Sequence, residues 1–473
     1  MTAPLSPPSP PPSPPVADGP LRALLVAYSF PPVGGAGVQR MLKLAKYLPL
    51  HGVSPAVLTV ANPSVPLRDE TLMADVPATL PIVRARTLEP GYAVKQAAWS
   101  ASTSDAAPSL RKRATRALSG VARQLLFPDP QVLWQPGASA ALVRRLAAGA
   151  DDVVVISGPP FSQFLLAPLA RAPLLSRRVA VVLDYRDEWS TLRKSYEMTR
   201  SGLQDLLGDP LEAALLRCAH AVVTATPTFR DNLLRRFPFL DPARVHEIPN
   251  GYDPADFPPW LAPPASPAAE DPARAALPPL PTDRLVLTYA GTVFRLTSPR
   301  GLLGAVRRLH REEPALAARL SLRFIGRIVD TELDAFAGTE ALGVSRVDYL
   351  SHHDVLQELL RSHATLCLLD DVAGADAIFP GKVFELMYLR RPCLTLAPPG
   401  ALAQLAQRHA LGAVLHPRDE VAIAGWLAQA LREHQQGRFA PSAASQAISR
   451  FSRPALAGEF AAVLRAASAQ ARR

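Results

Sequence analysis

Residues 21–60 contain a pattern that limits the fold more than any other stretch of the chain. An apolar run at Leu21–Tyr28 predicts a strand, and Val38–Leu50 has the apolar spacing of a helix. Pro55–Val60 follows as a second strand. A strand, a helix and a strand in this order form a crossover that joins parallel neighbours in one sheet. The pattern therefore predicts an α/β fold built on a parallel sheet.

The turn between this first strand and its helix is rich in glycine. Gly34, Gly35 and Gly37 lie in the segment SFPPVGGAGVQR, directly after the strand. Glycine lets a backbone approach a phosphate or a sugar without a clash from a Cβ atom. The segment lacks the G-x-G-x-x-G spacing of dinucleotide-binding proteins and the acidic residue that follows about twenty positions later in them. A nicotinamide-dependent dehydrogenase is therefore disfavoured.

The alternation of strands and helices continues and then repeats after a proline-rich segment. Residues 253–283 hold ten prolines, which is typical of a linker or a loop insertion. Further strands are predicted at 152–156, 178–183, 221–225, 285–290, 320–325, 347–350, 364–369 and 392–396. We predict a disordered proline-rich tail at 1–20, an N-terminal Rossmann-like domain at 21–253, a linker at 254–283, a C-terminal Rossmann-like domain at 284–450, and a last helix with a tail at 451–473. We expect the last helix to return to the first domain.

A second strand-to-helix corner lies late in the chain, at Phe379–Glu385. It follows the predicted strand at 364–369 and opens a predicted helix at Lys382–Arg390. Backbone N–H groups at the start of a helix favour an anion, and Lys382 adds a positive charge. Glu385, one turn into the helix, can accept hydrogen bonds from hydroxyl groups. A phosphate beside hydroxyls describes a nucleotide with its ribose, although an ordinary α/β corner with a solvated lysine and glutamate fits this stretch equally well.

Charge and composition narrow the classes of partner. The net charge of +10 and the pI of about 9.8 suit an anionic partner. Aromatic residues are only 6%, without interleaving of basic and aromatic side chains, so nucleic acid is disfavoured. The three cysteines and ten histidines lack metal-ligand spacing, and His352 and His353 are expected to form a solvated loop pair. We expect no metal.

The place of the protein in the cell is predicted from its apolar runs and its N-terminus. No apolar run reaches the ~18 residues of a membrane span, and the N-terminus lacks the features of a signal peptide. A cytoplasmic protein is therefore expected. Residues 110–126 interleave basic and apolar residues, which predicts either a helix lying on the inner face of the membrane or a core-packed helix with a solvated basic side.

Charged side chains crowd the end of one predicted strand. Arg186 and Asp187 belong to the segment DYRDEW at 184–189, and ligands in open α/β sheets bind beyond the carboxyl ends of strands. A ligand-binding cluster and a self-neutralising group of salt bridges both explain this segment.

Six motifs together carry a resemblance to a known family. They are YSFPPVGGAGVQRMLKLAKYLPLHGVSPAVLTV at 28–60, SGPPFS at 157–162, DYRDEW at 184–189, IPNGYD at 248–253, YAGTVF at 289–294 and FPGKVFELMYLRRPCL at 379–394. In this order the chain resembles the GT-B glycosyltransferases of family 4, the retaining, glycogen-synthase-like group. The resemblance implies a GT-B fold, in which the two Rossmann-like domains face each other across a cleft. It is most similar to the subgroup that acts in bacterial surface-polysaccharide synthesis.

The resemblance implies a role for each matching residue. Glu385 would bind the ribose hydroxyls, backbone N–H groups at Gly381–Val383 would bind the diphosphate, and Gly34 and Gly35 would close on the donor from the first domain. The implied donor-binding set is Gly34, Gly35, Gly291, Thr292, Arg327, Phe379, Gly381, Lys382, Val383 and Glu385. The implied catalytic residues are Arg295, Asp376 and Lys382, and the acceptor would approach Gln163, Arg186 and Asp187. The nucleotide sugar is a substrate, and neither a metal nor another cofactor is expected.

Three departures from the family pattern weaken the case for catalysis. The first glutamate of a paired-glutamate motif should stand at Ala377, and Asp376 is one position away. Thr292 and Thr297 stand where many relatives carry an arginine and a lysine; the nearby Arg295, Arg300 and Arg327 could supply the charge. Gln163 stands where the subgroup often has histidine, and glutamine cannot become cationic.

Two functions of different classes follow from this pattern. The first is an enzyme that transfers a sugar from a nucleotide to a glycan or a lipid-linked acceptor. The second is a catalytically silent GT-B protein that binds a nucleotide sugar or a partner as an assembly factor. The departures favour the second, whereas Lys382, Glu385 and the glycine turn favour the first.

Overall fold

The first of two parallel sheets is built from the N-terminal half of the chain. The computed structural model describes residues 19–65, 67–92, 126–173, 179–189, 202–261, 280–439 and 446–473. Within these residues the first sheet contains β1 (Leu21–Val26), β2 (Val53–Val60), β3 (Ile82–Ala85), β4 (Val153–Gly158), β5 (Ala180–Tyr185), β6 (Ala221–Thr224) and β7 (Val245–Glu247). Their order is β3-β2-β1-β4-β5-β6-β7, and all neighbours are parallel.

Helices cover both faces of this sheet. They are α1 (Ala36–Tyr47), α2 (Gln135–Ala147), α3 (Ala167–Ala170), α4 (Gly202–Arg217) and α5 (Pro227–Arg236). Successive residues of β1 point to opposite faces, so that Leu24 and Val26 join one buried core while Ala23 and Leu25 join the other. Burial on both faces explains why the strands are continuous apolar runs rather than alternating ones.

The second sheet is built from the C-terminal half in the same way. Among the described residues it contains β8 (Leu285–Ala290), β9 (Leu320–Ile325), β10 (Val344–Val347), β11 (Ala364–Leu368), β12 (Cys393–Leu396) and β13 (Val414–Leu415). Their order is β10-β9-β8-β11-β12-β13, again parallel throughout. The accompanying helices are α6 (Arg300–Glu312), α7 (Pro314–Ala317), α8 (His352–Leu360), α9 (Val383–Tyr388), α10 (Ala401–Arg408) and α11 (Glu420–Gln435). The predicted pair of Rossmann-like domains is confirmed.

The last helix, α12 (Arg453–Arg472), follows the second sheet but packs on the first. Leu456, Phe460, Val463, Leu464 and Ala467 are buried in the same core as Leu25 of β1. Their spacing of three and four residues places them on one face of the helix. The helix therefore returns to the first domain, as the sequence predicts.

The chain crosses between the two sheets twice, and the two crossings lie side by side. Tyr252 N donates to Phe451 O at 3.1 Å, and Arg453 N donates to Tyr252 O at 2.8 Å. A Cβ atom on Gly251 would lie 2.1 Å from Phe451 O, so only glycine fits beside the second crossing. Gly251, which belongs to the motif IPNGYD, thus permits close contact between the crossings.

Two elements of the second domain begin or end away from their predicted positions. The strand predicted at 347–350 lies at Val344–Val347, and the helix predicted from Lys382 to Arg390 is the single short helix Val383–Tyr388. None of the described helices combines the length and apolar character needed to cross a bilayer. Of the predicted amphipathic stretch 110–126, residues 110–125 lie outside the described part of the chain.

Candidate active site

The corner at 379–385 lies at the end of β11, where α9 begins. Phe379 packs edge-on against Phe384, with 6.0 Å between ring centres, so its ring supports the corner from behind. Gly381 is surrounded by open space, since a Cβ atom there would meet no atom within 4 Å. Val383 N donates to Pro380 O at 2.9 Å within the turn. Of the three predicted phosphate-binding N–H groups, the one at Val383 is therefore already used by the turn.

Glu385 has one carboxylate oxygen bonded and the other without a partner. Its Oε1 lies 3.0 Å from His352 Nε2, whereas Oε2 is buried and has no hydrogen-bond partner among the described residues. The side chain is 14% exposed. Burial alone would raise the pKa of Glu385, but His352 and Lys382 outweigh burial and lower it. A buried, ionised oxygen without a donor is a strong acceptor for a hydroxyl group.

His352 contradicts the expectation of a solvated histidine pair. It is the first residue of α8, its side chain is 19% exposed, and it contacts Glu385, while His353 is exposed as expected. The two partners are 33 positions apart, and only the fold brings α8 and α9 together. The sequence gives no periodic or motif signal for this contact, which is why the pattern missed it.

Lys382 immediately precedes α9 and is partly buried. Burial lowers the pKa of Lys382, and the charge of Glu385 opposes this change. A lysine that is partly removed from water gains more from an anionic ligand than a solvated one does. Lys382 and Glu385 thus present opposite charges at one corner, which suits a phosphate beside hydroxyls.

The loop after β8 holds several predicted donor-binding residues. Gly291 N donates to Ile325 O at 2.9 Å, and Val293 N donates to Arg327 O at 2.8 Å, so the loops after β8 and β9 lie together. Arg295 and Arg327 are both exposed. Asp370 N donates to Leu296 O at 2.6 Å, which places the Arg295 loop beside the end of β11. The structure therefore brings these arginines to the edge of the sheet where the corner lies.

The two threonines that stand where the resemblance predicts cations have local roles. Thr297 Oγ1 donates to Thr292 O at 2.7 Å and also accepts from Phe294 N at 3.3 Å. Thr292 itself is exposed. Arg300, considered as a substitute cation, forms ion pairs with Asp334 at 2.6 Å and Glu332 at 3.4 Å. Its charge is thus balanced by two carboxylates of the segment after β9, which leaves Arg295 and Arg327 as the better candidates.

The two glycines predicted to close on a donor have different surroundings. Gly34 N donates to Leu67 O at 3.1 Å, and a Cβ atom on Gly34 would lie 2.9 Å from Leu67 Cγ. Gly35 has a φ of +100° and open space around its missing side chain. Packing against Leu67 therefore explains glycine at position 34, whereas position 35 combines the backbone freedom and the access that a ligand needs.

The predicted acceptor-side residues lie at the ends of β4 and β5. Gln163 is 1% exposed; its Oε1 accepts from Tyr28 N at 2.6 Å, and its Nε2 donates to Ser157 O at 2.7 Å. Arg186 donates to Gly37 O and Pro159 O, so it joins the glycine turn to the loop after β4. Asp187 lies beside Arg186, yet burial raises the pKa of Asp187. In this structure Gln163 and Arg186 hold main chain together at the edge of the first sheet.

Comparison with known proteins identifies the architecture. Residues 34–251 match the family model described as a glycosyl transferase 4-like domain. The HepE protein of Anabaena, solved in complex with UDP and glucose, has a TM-score of 0.58 at 15% identity over 94% of this chain and 99% of its own. The Escherichia coli protein bound with UDP-2-fluoro glucose has a TM-score of 0.55 at 13% identity over 94% and 99%. The chain adopts the GT-B glycosyltransferase fold.

A curated relative matches only part of the chain. The alpha-maltose-1-phosphate synthase of Mycolicibacterium smegmatis is 32% identical over 104 residues, which is 22% of this chain. The match spans 24% of the length of that relative, less than a quarter of it. It supports the GT-B assignment over that share of the chain only.

In the GT-B arrangement the two domains also touch near the predicted catalytic residues. Thr226 Oγ1, at the start of α5, donates to Ala377 O at 2.9 Å. Ala377 is 1% exposed and packs with Ala225 and Phe229 of the first domain, while its neighbour Asp376 is exposed. The position at which the resemblance predicts a glutamate is thus a small apolar contact between GT-B domains.

A cluster of carboxylates lies where the GT-B domains are joined. Asp75, Asp253 and Asp256 have oxygens within 4.8 Å of one another, which could hold a metal ion. Lys43 Nζ lies 2.6, 2.7 and 2.6 Å from these three residues. Burial alone would lower the pKa of Lys43, but Asp256 and Asp253 outweigh it and raise the pKa. The ammonium group therefore takes the place that a cation would need.

Proposed function

We propose that this protein is a glycosyltransferase that moves a sugar from a nucleoside diphosphate to a glycan or a lipid-linked acceptor in bacterial surface-polysaccharide synthesis. The proposal depends most on Glu385, whose buried Oε2 lacks a partner within the part of the chain that the structure describes, while His352 holds the other oxygen. A nucleotide ribose would supply the missing hydroxyl donors. Lys382, at the same corner, would attract the adjacent diphosphate.

The nature of the donor is suggested by two of the similar structures. The Anabaena protein was solved with UDP and glucose, and the Escherichia coli protein with UDP-2-fluoro glucose. The partly matching relative from Mycolicibacterium smegmatis is named as a synthase of maltose 1-phosphate, also a sugar derivative. We therefore infer that UDP-hexoses are the first donors to test.

The proposed chemistry relies on positioning and charge rather than on a metal. Lys382, Arg295 and Arg327 would balance the charge that develops on the departing diphosphate, and Gly35 lets the first domain approach the donor. The departing phosphate would take the proton from an acceptor that attacks on the same face, which retains the anomeric configuration. Holding the donor and the acceptor in this geometry would supply most of the rate enhancement.

The alternative, a catalytically silent nucleotide-sugar binder, has one specific observation in its favour. Ala377 is a buried contact between the domains, so the carboxylate that many relatives place there is missing, and Asp376 points to a more exposed position. Such a protein would keep the Glu385 corner for binding but lack a group beside the sugar.

A thermal-shift and hydrolysis panel separates the two functions. The purified protein is mixed with UDP-, GDP-, ADP- and TDP-sugars, with and without EDTA, and then with lipid-linked acceptors. Stabilisation together with slow donor hydrolysis that EDTA leaves unchanged is the expected result. Stabilisation without turnover, even with acceptors, would establish the silent binder, and no response to any donor would refute the nucleotide site.

A further inference from the structure

We infer that His352 is a positioning residue, which holds the Glu385 carboxylate ready for the nucleotide and ties it to the segment between the two domains. The inference rests on the proposed function, because it assigns His352 a role only if Glu385 binds a donor. It goes beyond that function by naming a residue that acts through Glu385.

The first step of the argument is the orientation of Glu385. His352 Nε2 lies 3.0 Å from Oε1, whereas Oε2 has no hydrogen-bond partner among the described residues. A glutamate side chain has three rotatable bonds and keeps one rotamer only where a neighbour holds it. His352 therefore fixes which oxygen remains available for a hydroxyl group.

The second step is the link to the first domain. His352 Nδ1 lies 3.8 Å from Asp256 Oδ2, and Asp256 Oδ1 accepts from Lys43 Nζ at 2.6 Å. Lys43 belongs to α1, which follows the glycine turn, and Asp256 follows the first crossing between the sheets. A chain of polar contacts thus leads from α1 of the first domain to the candidate ribose site of the second.

The third step is the placement of His352 itself. Ser351 precedes α8, and its Oγ accepts from Asp354 N at 3.2 Å, which fixes where the helix begins. His352 is then the first helical residue and faces α9, whereas the adjacent His353 is exposed. Two neighbouring histidines with different surroundings provide a matched pair for experiment.

The charge state of His352 follows from the groups that face it. These are Glu385 of α9, Lys382 before α9, and Asp256 from the segment between the domains. Burial alone would lower the pKa of His352, but Glu385 and Asp256 outweigh burial and Lys382, and the pKa rises above its ordinary value. The imidazolium donates from both nitrogens, whereas neutral imidazole donates from one only. The contribution of the His352 charge to holding Glu385 is therefore complete at pH values below the ordinary pKa of histidine, and it is lost as the pH rises through the raised pKa of His352.

The experiment compares His352→Ala, His352→Gln and the control His353→Ala by calorimetric titration with UDP, GDP and ADP between pH 5.5 and 8.5. We expect His352→Ala to raise the Kd of the best nucleotide roughly tenfold at low pH, as loss of a hydrogen bond to a charged group would. His352→Gln keeps one hydrogen-bond donor without a charge. Its Kd should therefore exceed the wild-type Kd most at low pH, and this difference should shrink as the pH rises. His353→Ala should bind like the wild type throughout.

A comparison with the 2′-deoxy form of the same nucleotide adds a readout that a purely structural role would not change. The wild type should prefer the ribonucleotide, and His352→Ala should lose most of that preference because Glu385 is no longer held in position.

If wild type, His352→Ala and His352→Gln share one Kd, one pH profile and one ribose preference, the role of His352 is refuted while the nucleotide site stands. If the wild type binds none of the three nucleotides, the proposed function fails and the inference fails with it. Should His352→Ala not fold, the pH profile of His352→Gln alone decides the question.

Discussion

At the scale of single residues, Lys43 illustrates how a buried charge depends on its partners. Its side chain is 2% exposed and bonds three carboxylates, of which Asp253 is almost fully buried. Lys43→Met would keep the volume but leave these carboxylates uncompensated. We expect the free energy of unfolding, measured in urea, to fall by about 3–5 kcal/mol.

Lys46 provides the control for this prediction. It contacts Asp75 and Asp253 as well, but its side chain is 24% exposed. Water can solvate the carboxylates that Lys46→Met leaves without this partner, so the free energy of unfolding should fall by only about 1 kcal/mol. Equal effects of the two substitutions would contradict the view that burial makes Lys43 the essential partner.

Glu385 leads to a prediction about binding rather than stability. Glu385→Gln keeps the shape of the side chain but removes the charge that makes Oε2 a strong acceptor. We expect the Kd for the donor nucleotide to rise about 10- to 100-fold, the equivalent of ~1.5–3 kcal/mol for a hydrogen bond to a charged group. Titration calorimetry measures this change, and the exposed Glu340→Gln serves as control. An unchanged Kd in Glu385→Gln would place the nucleotide elsewhere.

Sequence reasoning reached some of these residues and not others, for a physical reason. Glu385 and Lys382 lie in one helical corner, so local spacing is enough to place them together. The contact of His352 with Glu385, and those of Lys43 with Asp253 and Asp256, join residues that are 33 to 213 positions apart. Such contacts depend on how helices pack within the second domain and on how the first domain meets the segment after it, and no local pattern records that packing.

At the scale of elements, the position of α12 leads to a stability prediction for the first domain. Phe460 is fully buried in the core that α12 shares with β1 and α1. Phe460→Ala should cost about 3–5 kcal/mol, because it removes a large apolar side chain and leaves a cavity. Urea unfolding checks the value. The exposed Gln470→Ala in the same helix should change stability by less than ~0.5 kcal/mol, and a comparable loss there would indicate that α12 acts as a whole rather than through its buried face.

Strands were predicted more accurately than helix ends, and the cause lies in their surroundings. β8 and β9 are buried apolar runs between turns, and their predicted ranges match the structure. The helix at the corner ends at Tyr388 rather than Arg390, and Arg390 has a positive φ of 55°, which no helical residue adopts. An apolar pattern cannot show a change of backbone conformation at a charged residue. The predicted range of the third strand of the second domain is wrong, because Val347–Leu350 is also apolar enough to suggest a strand.

At the scale of the whole molecule, the two domains are joined by more than their two crossings. Tyr349 OH donates to Asp69 Oδ2 at 3.0 Å, and Thr226 Oγ1 donates to Ala377 O at 2.9 Å. Both contacts are single hydrogen bonds between the domains, and Phe229 adds a small apolar patch. Contacts of this size suit domains that open and close around a ligand.

The contact at Ala377 makes the relation between domain closure and the missing glutamate testable. Ala377→Glu would place a carboxylate against Ala225 and Phe229, where the small apolar contact offers neither room nor a partner for the charge. The domains can avoid this cost by separating. We therefore expect small-angle scattering without ligand to give a radius of gyration roughly 1 Å above the ~23 Å expected for a compact chain of this length.

The exposed neighbour Asp376 provides the control, because Asp376→Glu lengthens a side chain that already faces solvent and should leave the radius unchanged. Donor hydrolysis by Ala377→Glu then separates two explanations of the family difference. An expanded protein with less hydrolysis would mean that alanine is required for closure in this chain. An unchanged radius with faster hydrolysis would mean instead that the cleft accepts the glutamate and that its loss has weakened catalysis.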